Sequence, residues 1–497
     1  MRVRSLTSIA MAGLAAVLLV SPAAAAVGSP GPPGIGDSYY PLDGNGGYDV
    51  SHYDIRLRYQ PASDLLSGTT TILATTTQDL SRFNLDFLLR VSSVLVNNVP
   101  AAFSTDGGEL TVTPAAVLRA GQDFIVVVRY SDTPEPYRLY GNASWFRTAT
   151  GAVAANGPHI APWWFPSNDH PRDKATFDVS IAVPPGVEAL SNGDIMDVRQ
   201  TAPQWVRWSW RSVGPQAPYL AFLAIGQFDA RLVTAPNGQN LITAYSDDLG
   251  ASGPAARASV ERTPEIIQTL EDWFGPYPFE AQGGVVVDPG LGYAMETQTR
   301  PAYDGGFFFG GTNTYVVAHE LAHQWVGDSV SVDDWRDIWL NEGFATYAEY
   351  LWSEHEGEGT AAELAQFRYD TIPADDPFWQ VLPGDPGVPN QLDRAVYFRG
   401  GMTLQALRTT IGDDAFFTIL RTWTDEHQNG TATTDDFIAL SEKVSGRQLD
   451  DLFTTWLYTP GKPPTGPNGS AAPFTTTAKP KSYDKIEFNV NLMTAGK

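Results

Sequence analysis

Two histidines and a glutamate in the middle of the chain have the spacing of a metal site. His319 and His323 lie four residues apart, so in a helix both imidazoles project from one face, one turn apart. At that separation two neutral ring nitrogens can bind one Zn²⁺ at about 2.0–2.1 Å each. Glu320, beside the first histidine, can take a proton from a water on the metal. With only seven histidines in the chain, a chance motif on a buried helix is the weaker interpretation.

Glu342 is the predicted third ligand. Hydrolytic zinc sites use three protein ligands and keep a fourth position open. Glu342 lies in a largely apolar stretch, 339–345, where an unpaired charge would be costly, and the distance from His323 allows a second helix over about 339–354 to return beside the first. Glu349, two turns further on the same face, can accept the distal N–H of a ligand histidine. A solvated helix glutamate is the alternative for Glu349.

The elements upstream of the motif have the pattern of strands. Residues 53–59 alternate apolar and polar side chains, which predicts a half-buried strand. Runs rich in β-branched and aromatic residues predict further strands at 69–76, 83–87, 124–130, 176–183, 205–210 and 219–225. No helical period of useful length precedes about Gly250. An N-terminal, mostly antiparallel β domain is therefore expected.

Helical periodicity dominates after residue 250. Helices are predicted at about 255–274, at the motif, and at 339–354, 401–411, 414–426, 434–445 and 449–457, with a buried strand at 283–288. The whole is an α+β multidomain protein. Its predicted parts are a signal peptide (1–26), a lead-in loop (27–46), the β domain (47–245), the catalytic domain (246–464) and a Pro/Gly/Thr-rich tail (465–497).

Composition restricts partners and location. A positive start, a short apolar core and an alanine-rich end make residues 1–26 typical of an export signal, so a secreted protein is expected. A net charge of −24 argues against nucleic acid as a partner. No later run reaches the 18 apolar residues that a membrane anchor would need, so none is expected. Because the chain has no cysteine, thiol catalysis and cysteine-ligated zinc are excluded.

Taken together, these motifs resemble the aminopeptidase-N family of gluzincin metallopeptidases, which includes leukotriene A4 hydrolase. The resemblance runs from about residue 48 to 464 and is carried by His-Glu-Leu-Ala-His-Gln-Trp at 319–325 with Trp-Leu-Asn-Glu-Gly-Phe-Ala at 339–345. It implies a saddle-like β domain, a thermolysin-like catalytic domain and one Zn²⁺. Asn341, inside the second motif, is expected to support the ligands together with Glu349.

Further roles follow from the resemblance alone. Tyr397 stands where the family has Tyr-x-Lys-Gly, whose tyrosine stabilises the tetrahedral oxyanion, and Arg399 replaces the lysine. The stretch 292–297 is similar to the Gly-x-Met-Glu-Asn exopeptidase motif, which implies substrate binding by Gly292, Ala294 and Glu296, with Glu296 holding the free α-amine. Thr297 replaces the motif's asparagine.

These observations predict a secreted zinc metallopeptidase acting on peptides, as an aminopeptidase. Because Thr297 departs from the exopeptidase motif, the alternative is an endopeptidase or a broad peptide hydrolase that uses the same zinc site. The roughly 35 residues after 464 are too few for the family's large helical C-terminal domain, so an open cleft is expected. A catalytically inactive binding module is the second alternative, and the oligomeric state is left open.

Overall fold

The structure is a computed structural model that describes residues 28–287, 290–470 and 478–495. The predicted signal peptide, 1–26, lies outside the described residues. None of the described helices is long and apolar enough to cross a bilayer.

The N-terminal half consists of mostly antiparallel sheets, as predicted. The largest has eight strands, in the spatial order Asp194–Ala202, Trp205–Gln216, Ala175–Val183, Tyr48–Gln60, Leu65–Thr76, Asp123–Asp132, Val91–Val96 and Val99–Pro100. Only Tyr48–Gln60 and Ala175–Val183 pair in parallel within it. Along Tyr48–Gln60 the apolar side chains at 53, 55, 57 and 59 are buried, which is the predicted alternation.

Two smaller sheets complete this half. One contains, in spatial order, Ser29–Pro30, Leu80–Asp86, Glu109–Thr113 and Ala102–Asp106. The other contains Trp145–Arg147, Ala152–Ala154, Leu223–Gly226 and Glu188–Leu190. All six strand-like runs predicted downstream of residue 60 overlap strands of these three sheets.

A five-stranded sheet begins the C-terminal half. Its spatial order is Phe228–Thr234, Asn240–Ser246, Ala281–Val287, Ala302–Asp304 and Ala294–Met295. Because Asn240–Ser246 pairs in parallel with Ala281–Val287, the first two strands belong to this sheet and not to the β domain. The predicted boundary at residue 245 therefore falls inside the sheet, and the division lies near Gly226. Strand periodicity shows that a strand exists but not which sheet it joins.

Ten helices follow in the described residues: α1 Gly253–Val260, α2 Thr263–Phe274, α3 Thr314–Ala322, α4 Trp339–Glu356, α5 Ala361–Thr371, α6 Arg394–Ile411, α7 Asp413–Glu426, α8 Thr434–Ser445, α9 Asp450–Phe453 and α10 Tyr483–Ala495. A π turn, Thr454–Tyr458, extends α9, and a two-stranded pair joins Ser331–Val332 to Thr431–Ala432. The fold class is thus confirmed.

One predicted helix is divided in the structure. The pattern over 255–274 forms α1 and α2 because Pro264 occupies the first turn of α2, where its missing N–H is not needed. Inside a continuous helix the same proline would remove a backbone hydrogen bond and clash with the preceding turn.

In the C-terminal half, α4 packs closely on α6. A Cβ added to Gly343 would lie 3.0 Å from the Cα of Gly400, so the two backbones approach as closely as glycine permits. Gly343 follows Glu342, and Gly400 lies three residues after Tyr397. This contact therefore fixes two predicted site residues relative to each other.

The end of the chain is not wholly a loose tail. Residues 483–495 form α10, which packs against α3 and α6 and buries Ile486, Val490 and Met493. Glu487 of α10 also pairs with the buried Arg368 of α5. Within the predicted tail, 465–497, the structure thus contains a helix. The spacing of the three apolar side chains, four and then three residues apart, was the available signal for a helix.

Arg399 joins distant segments of the C-terminal half. Its buried guanidinium donates hydrogen bonds to five backbone carbonyls, those of Trp379 (3.0 Å), Val381 (3.1 Å), Thr455 (3.3 Å), Trp456 (2.7 Å) and Thr459 (2.5 Å). It thereby connects α6 to the long loop before it and to the π turn. A lysine, with three donors, could not make all five bonds.

We expect Arg399→Met to lower the free energy of unfolding by about 3–5 kcal/mol, because buried carbonyls lose their donor. Urea unfolding followed by tryptophan fluorescence measures this change. Arg421→Met is the matched control, since Arg421 is exposed and makes a single bond of this kind, 3.2 Å to the carbonyl of Asp272. Equal effects of the two substitutions would contradict the assigned role of Arg399.

Candidate active site

Three predicted ligand atoms converge at the C-terminal end of α3. His319 is in the last turn of that helix, His323 follows it, and Glu342 projects from the first turn of α4. Oε2 of Glu342 lies 3.4 Å from Nε2 of His319 and 3.5 Å from Nε2 of His323. Tetrahedral zinc with bonds of about 2.0–2.2 Å separates its ligand atoms by roughly 3.3–3.6 Å. The donor set and its spacing therefore fit one Zn²⁺.

The distal ring nitrogens of both histidines have acceptors. Nδ1–H of His319 donates to Oε1 of Glu349 at 2.8 Å, and Nδ1–H of His323 donates to the carbonyl of Val326 at 3.0 Å. A carboxylate and a carbonyl can only accept, so these bonds fix the tautomer and leave both Nε2 lone pairs facing Glu342. Glu349 thus lies where the sequence placed it, beside a ligand rather than in solvent.

Electrostatics in the cluster favour a cation. Burial alone would lower the pKa of His319, but the hydrogen bonds that its protonated ring would donate to Glu342 and Glu349 raise it well above its usual value. Burial would raise the pKa of Glu342, yet the two histidines hold it well below its usual value. The carboxylates therefore favour positive charge between the rings, which Zn²⁺ bound through neutral imidazoles would supply.

Glu320 is a buried carboxyl beside the three ligand residues. Burial raises its pKa to about 8, and the neighbouring histidines act in the opposite direction. A dication held by the ligands would favour the charged form further. The group is thus suited to accept a proton near neutral pH and to release it again.

The phenol of Tyr397 is on the same side of the site. Its ring lies parallel to that of His319, with centroids 6.0 Å apart and an interplanar angle of 21°. Burial raises the pKa of Tyr397 well above its usual value, and Glu342 and Glu296 raise it further. The hydroxyl therefore keeps its proton and can donate a hydrogen bond to a developing oxyanion.

The stretch that contains Gly292, Ala294 and Glu296 forms a second wall of the candidate site, in addition to the one with Tyr397. Ala294 belongs to the end strand of the five-stranded sheet, and the amide of Gly292 donates to Oδ2 of Asp304 at 2.9 Å. The side-chain hydroxyl of Thr297 donates to the carbonyl of Arg300 at 2.8 Å. Thr297, which replaces the asparagine of the motif, thus stabilises a local turn.

Gln324 links this wall to the metal-binding segment. Its Nε2 donates to the carbonyl of Glu296 at 3.1 Å, and its Oε1 accepts from the amide of Thr299 at 2.7 Å. The sequence motif contains Gln324 but does not by itself predict a role for it. The position of this amide directly after a ligand histidine and before Trp325 and Val326 was the available signal.

Asn341 is not joined to the ligands. No hydrogen bond among the described residues connects its side chain to His319, His323 or Glu342, so its supporting role stays a prediction. Neighbouring residues of a helix project about 100° apart, and Asn341 consequently lies to one side of Glu342.

A cleft of about 610 Å³ opens at the junction of the two halves. It is lined by the loops around Asn142 and Asn156, by Tyr293 just before the Glu296 stretch, and by Arg394 one turn before Tyr397. Thr494 of α10 forms part of its edge. The cleft thus borders the residue before the Glu296 stretch and the start of α6, and its lining among the described residues does not include the three ligand residues.

Comparison with known proteins gives matches over both halves. The model of the peptidase M1 N-terminal domain matches residues 50–220, and that of the peptidase family M1 domain matches 258–456. The chain is 28% identical over 353 residues to aminopeptidase N of Lactococcus lactis subsp. lactis, covering 61% of this chain and 38% of the relative. It is 25% identical over 461 residues to glutamyl aminopeptidase of Rattus norvegicus, covering 83% and 47%. The chain spans less than half the length of either relative.

Solved structures match over nearly their whole length. An M1 zinc metallopeptidase from Deinococcus radiodurans has a TM-score of 0.75 at 30% identity, covering 86% of this chain and 98% of that one. A mutant M1 zinc metallopeptidase from the same organism, bound to a Tyr-Ser-Ala substrate, has a TM-score of 0.76 at 29% identity, covering 86% and 99%.

Proposed function

This chain belongs to peptidase family M1, as its motifs predicted, and on that premise we propose that it is a zinc aminopeptidase that releases the N-terminal residue of peptides. The hydrogen bond from Gln324 to Glu296 is the observation that carries the proposal. It ties the backbone of Glu296, the residue whose carboxylate is suited to an α-amine, to the segment that holds the ligand histidines. A peptide whose amine meets Glu296 then has its first peptide bond at the metal site.

The roles of the residues follow from their chemistry. His319, His323 and Glu342 would hold zinc, which would supply Lewis-acid chemistry by polarising a carbonyl and making water more acidic. Glu320 accepts the proton of the attacking water and returns it to the departing amine. The hydroxyl of Tyr397 donates a hydrogen bond to the oxyanion. Glu296 pairs with the ammonium of the peptide and sets the cleavage position.

The test compares a free-amine peptide with its N-acetylated form. We expect the free peptide to be cleaved at its first bond and the acetylated form to react far more slowly. Glu296→Ala should lower kcat/KM for the free peptide by roughly 10- to 150-fold, which corresponds to the loss of one charged hydrogen bond. Mass spectrometry of the products measures both the rate and the cleavage position.

Glu426→Ala is the control for this comparison, because Glu426 is an exposed helix glutamate near Lys443. Equal rates for the free and acetylated peptides, or internal cleavage, would support the endopeptidase alternative instead. Bound zinc without hydrolysis of any peptide would support a binding module.

We also propose that the protein acts outside the cell. The charged, apolar and alanine-rich regions of residues 1–26 support this proposal. N-terminal sequencing of the protein from the culture medium of an expressing bacterium tests it, since a start near residue 27 is expected.

A further inference from the structure

The second oxygen of Glu349 is held by the C-terminal helix. While Oε1 of Glu349 accepts from His319, its Oε2 accepts from Nδ2 of Asn489 at 3.1 Å. Asn489 lies in α10, beyond residues 258–456 that match the family model. The side chains of all three residues are fully buried, so water does not replace these bonds.

Asn489 is itself held in one orientation. Its Oδ1 accepts from Nδ2 of Asn313 at 2.6 Å, and the backbone amide of Asn313 donates to the hydroxyl of Ser259 at 2.9 Å. Because Oδ1 is the acceptor in the first bond, the amide nitrogen of Asn489 must face Glu349. The hydrogen bonds therefore run from the residue before α3, through α10 and α4, to His319 near the end of α3.

We propose that Asn489 is a positioning residue of the metal centre, acting through Glu349 on His319. An amide nitrogen can only donate, so its bond to Oε2 fixes the plane of the Glu349 carboxylate. That carboxylate in turn holds the ring of His319 with Nε2 toward the metal. The inference uses the zinc site of the proposed function but not its specificity for free amines.

Apolar packing and an ion pair hold α10 in this position. Ile486, Val490 and Met493 bury the apolar face of the helix, and the ion pair of Glu487 with Arg368 anchors its first half. Asn489 is the polar residue within that buried face. A leucine there would retain the volume but leave Oε2 of Glu349 without a donor.

Zinc affinity of the full chain, measured by competition with a chelating dye, tests the proposal without using peptide cleavage. We expect Asn489→Leu to weaken zinc binding by about 10-fold, at the lower end of the effect of residues that orient metal ligands. Asn491→Leu is the matched control, because Asn491 is an exposed asparagine two residues further along the same helix. It should leave zinc affinity unchanged.

A double-mutant cycle distinguishes positioning from a general structural effect. In a Glu349→Gln background, Asn489→Leu should cause little further loss of zinc affinity, because its target is already altered. If Asn489→Leu fails to fold, Asn489→Asp, which keeps the shape and removes the donor, takes its place in the cycle. Unchanged zinc affinity in the single variant, or a full 10-fold loss in the Glu349→Gln background, would overturn the proposal.

Discussion

Glu320→Gln is expected to lower kcat for peptide hydrolysis by about 10²- to 10⁴-fold, the usual contribution of a general base. Glutamine keeps the shape of the side chain but cannot accept a proton from water. Glu320 is buried next to the ligand residues, where bound zinc would favour the charged form that accepts a proton. Steady-state kinetics on a free-amine peptide gives the change in kcat.

Zinc content separates this effect from metal loss. Glu320 is not one of the three ligands whose atoms converge, so the glutamine variant should still contain one zinc per chain. Glu426→Gln, at an exposed position, is the control and should retain full activity. A Glu320→Gln variant with its zinc and with a kcat within threefold of the unaltered protein would show that another group takes the proton.

His323→Ala is expected to abolish stoichiometric zinc binding and to reduce hydrolysis to background. Only two of the three ligands would remain, and the carboxylate of Glu342 would lose the ring that lies 3.5 Å from it. A zinc site lacking one of its three ligands no longer holds the metal in the geometry that activates water. Metal analysis after dialysis and a peptide assay with added zinc measure the two losses.

His355→Ala provides the control for the metal measurement. His355 lies with Glu265 and Glu356 in a second group of potential ligand atoms, but all three residues are exposed. We expect this variant to keep one zinc and full activity. If His355→Ala lost its zinc and His323→Ala kept it, the metal would bind at the exposed group of His355 and not at the predicted site.

Several features could be predicted because they depend on short spacings along the chain. The period of 3.6 residues brings His319 and His323 to one face, and it brings Glu342 and Glu349 to one face of the next helix. The alternation over 53–59 likewise gives a half-buried strand wherever that strand lies. The family motifs added Tyr397, whose place beside the ligands no spacing rule could supply.

Other features depend on contacts between residues far apart in the chain. Glu349 and Asn489 are separated by 140 residues, and the Gln324 and Glu296 pair by 28. Residues 228–246 likewise join the five-stranded sheet through the pairing of their second strand with residues 281–287. Local periodicity sets the conformation of a segment, whereas its partners depend on which surfaces are left to bury. For that reason the sequence predicted the metal ligands, and the tertiary structure assigned the helix and the side chains that hold them in place.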